Sequence, residues 1–127
     1  MKLFYRIGFI IYVLALIGFY FCPSTGITTS VEVNSNTYRV DYLLHGFAFL
    51  VLPIVAFLAN GDRKRPYLWW IFIGFSFILA IAFEFIQQLV PERAFNPKDT
   101  LSNIIGLSIG VALVLMYRKC RKSNGTQ

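Results

Sequence analysis

The sequence predicts an all-α protein, a bundle of four membrane-spanning helices joined by short connections. Three observations carry that expectation. Hydrophobic residues make up 57% of the 127 residues, charged residues only 14%, and the mean hydropathy is +0.62. A soluble domain this small keeps too much surface for such a mix. Second, the apolar residues gather into runs at 3–22, 42–60, 67–90 and 100–117, each near the roughly 20 residues that cross about 30 Å of hydrocarbon. Third, a run of that length satisfies its own backbone groups as a helix, which lipid requires. The length fits one domain, residues 1–127.

The first run starts with Lys2 and Arg6. Its apolar part is too long for a cleaved leader and no small-x-small site follows, so it is expected to stay as helix 1. Phe21 before Cys22 is too bulky for a lipoprotein-type cleavage site. Helix 1 holds no strongly polar side chain and is expected to be a passive wall facing lipid. The loop after it, rich in Ser, Thr, Asn and Gly, contains a weakly alternating stretch expected to form a small hairpin with Asn34-Ser35-Asn36 at its turn.

Helix 2 opens at Asp41. His45 stands four residues on, so the two share a face about 6 Å apart along the axis. Pro53 removes one backbone hydrogen bond and predicts a kink. Helix 3 opens with Tyr67, Trp69 and Trp70, an aromatic belt at a membrane boundary. Its far half carries Glu84, Gln87 and Gln88 before Pro91 breaks it. Helix 4 carries Asn103 and a Ser102, Gly106, Gly110 row that admits a close neighbouring helix, including one from a second copy of the chain. The tail from Ser123 is expected to be disordered.

Basic residues set the orientation. Lys2 and Arg6, then Arg63, Lys64 and Arg65, then Arg118, Lys119, Arg121 and Lys122 fall on one side, leaving Arg39, Arg93 and Lys98 on the other. The crowded side is expected to be cytoplasmic, with both termini inside, in the plasma membrane. The net charge of +6 then reflects topology and anionic lipid, not nucleic acid. Cys22 and Cys120 lie a bilayer apart, form no disulfide, and stand in no metal-ligand spacing.

The strongly polar side chains inside the runs are His45, Glu84, Gln87, Gln88 and Asn103, all in the outer halves. Each has a plain reading. Asp41 and Asp99 precede apolar runs and suit helix N-caps. Asn103 suits an interhelical hydrogen bond, a lone His45 suits packing, and Gln88 suits the interface. Glu84 resists such a reading, because an acid at membrane depth needs a partner or a proton and marks a functional site by default. The candidate chemistry is proton exchange by Glu84 and His45, supported by Asp41 and Asp99. Arg93, Gln87 and Asn103 would hold a ligand, with the N-termini of helices 2 and 4 favouring an anion. The acid and imidazole positions lack a close metal-binding pair, so no metal is assigned.

Taken together, Asp41-x-x-x-His45, Glu84-x-x-Gln87, Pro91-x-Arg93, Asp99-x-x-x-Asn103 and Gly106-x-x-x-Gly110 resemble the VanZ-like family of small membrane proteins. Glu92 stands where that pattern commonly has Gly, and Tyr42 where it often has Lys. The resemblance covers residues 41–110 and implies importance for those positions. From the polar layer itself, membrane lipids and a lipid-linked envelope precursor or a lipoglycopeptide are the expected partners; the resemblance adds a link to resistance against the lipid-bearing glycopeptide teicoplanin. It supplies no reaction, no cofactor and no decision between an enzyme, a binding protein and a structural subunit.

Overall fold

The computed structural model describes residues 2–21, 30–33, 36–39, 41–60, 66–90 and 95–124. Four helices dominate: α1 (Lys2–Phe21), α2 (Asp41–Asn60), α3 (Pro66–Gln87) and α4 (Pro97–Asn124). All four are long and apolar enough to cross a membrane. Between α1 and α2, strands β1 (Ser30–Val33) and β2 (Asn36–Arg39) pair antiparallel, with Ser30 opposite Arg39 and Val33 opposite Asn36.

Two boundaries differ from the sequence expectation. Helix α3 ends at Gln87 and the chain turns through Gln88 and Leu89. The turn is held by Leu89 N–H donating to Ile86 O at 2.9 Å and Val90 N–H to Gln87 O at 3.0 Å. Helix α4 starts at Pro97, whose fixed φ and missing N–H suit a first helical position. It runs 28 residues to Asn124, past the end expected at residue 117 and into Ser123 and Asn124, the first residues of the segment expected to be disordered. Residues 125–127 lie outside the described residues.

The helices alternate in direction, so the end of α1, the start of α2, the end of α3 and the start of α4 meet at one end of the bundle. Their large apolar side chains, among them Leu3, Ile10, Leu14, Phe47, Ile71, Phe75 and Leu101, point outward. That pattern suits acyl chains, which are as apolar as the side chains themselves. Inside, Leu16, Tyr20, Phe49, Leu52, Ala80, Phe83 and Leu107 form one core, and Ala56, Phe57, Trp69, Ile73 and Val114 a second toward the opposite end.

Helices α2 and α4 pack most closely, and the small-residue row explains how. A Cβ added to Gly106 would collide with the Gly46 carbonyl oxygen, and one added to Gly110 with Leu50 O and, at 2.6 Å, with Cγ of Pro53. Gly46 in turn faces Ser102 O, 3.3 Å from where its own Cβ would sit. The row expected to admit a neighbouring helix, and open to a second chain, is therefore filled by α2 of the same chain. Pro53 is buried inside a helix that continues past it, and its carbonyl accepts from Trp69 Nε1–H at 3.4 Å.

Candidate functional site

The polar cluster forms where the four helices converge. Helix α1 contributes Tyr20, the position before its last residue; α2 contributes His45 from its second turn. Helix α3 contributes Glu84 and Gln87 from its last turn, and α4 contributes Asp99 and Asn103 from its first two turns. Every one is buried: Tyr20, Glu84 and Asn103 at 0% exposure, Gln87 at 3%, His45 at 4% and Asp99 at 7%. A 270 Å³ cleft lined by Arg6, Ala56, Asn60 and Trp69 lies at the opposite end.

Tyr20 is the hub. Its hydroxyl lies 2.6 Å from Asn103 Oδ1 and 2.9 Å from His45 Nδ1. Asn103 Nδ2–H donates to the Ala80 carbonyl of α3 at 3.2 Å. A carbonyl only accepts, so the amide nitrogen must face Ala80 and the amide oxygen must face Tyr20. The Tyr20 proton is thus committed to Asn103. Toward His45 the phenol oxygen can only accept, which places a proton on Nδ1 of the imidazole. Glu84 Oε1 lies 3.3 Å from that same nitrogen. The result is a directed chain from His45 through Tyr20 and Asn103 to α3, with a carboxylate beside its first donor.

The walls of this chain are aromatic. The Tyr20 ring packs against His45 and Phe83, each with centroids 5.0 Å away, and against Phe49 at 5.9 Å, while Phe19 meets the imidazole edge at 5.7 Å. Such walls exclude water, and electrostatic interactions strengthen in the low dielectric that results. Both oxygens of Glu84 are sealed from solvent and accept no hydrogen bond among the described residues.

Of the residues singled out from sequence, His45, Glu84, Gln87, Asp99 and Asn103 come together. Gln87 serves as a tie: Nε2–H donates to Tyr20 O at 3.1 Å, satisfying a carbonyl that the end of α1 leaves without an intrahelical donor. Asn103 likewise bridges α1 and α3, so these two residues position the site. Gln88 is exposed in the turn after α3 and does not join them. Asp41 begins α2, with its side chain outside the described residues, and Arg93 lies outside them altogether. The passive role expected of α1 is overturned by Tyr20. A tyrosine near a span end ordinarily reads as an interface anchor, and only its spacing from His45 in three dimensions reveals the hub. In space, ligand-capable atoms of His45, Glu84 and Asp99 lie within 4.8 Å of one another, a grouping that no local spacing in the sequence announces.

Fold and site together define a multi-pass membrane protein with a buried network of polar side chains at one end of a four-helix bundle. The family model described as VanZ/LLP1 matches residues 9–118, and the chain belongs to that family. The match takes in α2 and α3 whole, most of α1 and α4, and every member of the cluster, Tyr20 included. No curated protein and no solved structure matches the chain.

Proposed function

We propose that this protein binds an amphiphile of the cell envelope, a lipid-linked phosphate or glycan or a teicoplanin-like lipoglycopeptide, at the extracytoplasmic end of its bundle. There the His45–Glu84 pair exchanges a proton with the bound molecule. The observation that carries the reading is that pair, 3.3 Å apart and buried where four helices meet. A carboxylate kept at membrane depth is costly unless it is neutralised and used. The loop charges support the orientation, since the basic segments cluster at the other end. The starts of α2 and α4 at the site end favour an anionic head group, and Arg93 in the neighbouring loop adds a full positive charge.

A second reading has its own observation. Gln87 and Asn103 both end on backbone carbonyls of neighbouring helices, which suits a layer that only joins helices in a structural subunit.

Glu84→Gln separates the two. It keeps size and hydrogen-bonding capacity and removes charge and proton exchange. With protein abundance held equal, the first reading expects altered teicoplanin susceptibility and an altered envelope lipid profile. Unchanged values for both would end it. Arg93→Ala is expected to weaken binding of the amphiphile, whereas a purely structural role predicts effects through abundance alone.

A further inference from the structure

We propose that His45, Glu84 and Asp99 form a binding site for one divalent transition-metal cation of the zinc or manganese class. The three come from α2, α3 and α4, are each at most 7% exposed, and offer ligand atoms that all lie within 4.8 Å of one another. Ligands around a tetrahedral zinc, each at about 2.0–2.2 Å, stand about 3.4 Å apart. Rotation about the side-chain torsions of the three would bring their ligand atoms from within 4.8 Å of one another onto one centre.

A second observation points to a ligand independently of that proximity. Glu84 is fully buried with His45 Nδ1 3.3 Å from Oε1, yet neither of its oxygens accepts a hydrogen bond among the described residues. A buried carboxylate normally takes several donors or a cation, because its desolvation is otherwise uncompensated. The donor set, one nitrogen and carboxylate oxygens without thiolate, selects the metal class. Imidazole suits zinc and the later first-row ions, carboxylates suit manganese, and neither magnesium nor calcium favours a nitrogen ligand. Tyr20 and Asn103 support the histidine from outside the site: the Tyr20 ring packs on the imidazole with centroids 5.0 Å apart, and Asn103 ties the Tyr20 hydroxyl to α3. Where Nδ1 is the ligand, binding releases its proton.

The site uses the same His45 and Glu84 as the proposed function, with the ion in place of the proton they share, and it is tested without any lipid substrate. The full chain in nanodiscs is stripped with a chelator and titrated with Zn²⁺ alone, using calorimetry and metal analysis. One ion per chain is expected, with Mn²⁺ bound more weakly, as the affinity order of divalent ions requires. Glu84→Gln and Asp99→Asn are each expected to weaken binding by about 10- to 100-fold. Should either variant fold poorly, the wild-type chain decides: ¹⁵N-labelled His45, the one histidine present, must shift its ring resonances up to one equivalent of Zn²⁺ and no further. Absence of stoichiometric binding overturns the proposal, and so does binding that leaves the His45 resonances unmoved. Either result leaves the amphiphile reading standing, since that is measured by susceptibility and lipid profile.

Discussion

Removing a single oxygen from the hub tests the network most economically. Tyr20→Phe keeps the ring and its packing on Phe49 and Phe83, but deprives Asn103 Oδ1 of its donor and His45 Nδ1–H of its acceptor. In soluble proteins a stranded buried acceptor costs about 1–3 kcal/mol. In membrane bundles, measured side-chain hydrogen bonds average about 0.6 kcal/mol and reach about 1.7. With two partners at 2.6 and 2.9 Å, both sealed from water, the expected loss is about 1.5 kcal/mol, near the top of the membrane range. That is about a tenfold shift in the folding equilibrium. The assay is reversible unfolding in mixed micelles, arranged as a double-mutant cycle with Asn103→Leu. A coupling of about 1 kcal/mol is expected between the two positions. A coupling below about 0.3 kcal/mol would mean that the changes are independent, and the network as drawn would be refuted.

Other consequences follow from the same structure. Gly106→Ala forces a methyl onto the Gly46 carbonyl, and because backbone cannot yield as a side chain does, a loss of about 1–3 kcal/mol is expected by thermal denaturation. Gly8→Ala meets nothing within 4 Å and should be neutral or stabilising through helix propensity; equal effects at the two sites would contradict the α2–α4 packing. Gln87→Leu frees the Tyr20 carbonyl and should speed amide exchange in the last turn of α1 while leaving α2 protected. Cys120 is exposed on the basic end of α4. In a Cys22→Ser background it should resist an impermeant maleimide in intact cells and react after lysis, whereas labelling of intact cells would reverse the orientation.

Much of this architecture is written in the sequence because lipid enforces it. A span must be a long apolar helix, so the four runs are unmistakable, and a polar side chain inside one is conspicuous. His45, Glu84, Gln87 and Asn103 stand out for that reason, and their grouping follows from helices that alternate in direction. Tyr20 escapes notice because its ring is apolar and its position suits an interface; nothing local says that its hydroxyl turns inward. The ends of α3 and α4 are equally hard to read. Hydrocarbon sets where a span must be apolar but not where its hydrogen bonds stop. Thus Pro97, Lys98 and Asp99 become the first turn of α4, and the basic residues after Tyr117 stay helical. The small-residue row foretells a close helix contact without naming the partner, and Gly46 with Pro53 supply the answer from within the chain.

The account turns on the proton that His45 Nδ1 donates to Tyr20, with Glu84 Oε1 3.3 Å from the same nitrogen. Because the chain has one histidine, ¹⁵N-histidine labelling of chelator-treated protein in lipid reports this ring alone. The account predicts a protonated Nδ1 whose resonance moves on both Tyr20→Phe and Glu84→Gln. A ring protonated only at Nε2, or an Nδ1 signal that neither substitution disturbs, would contradict it.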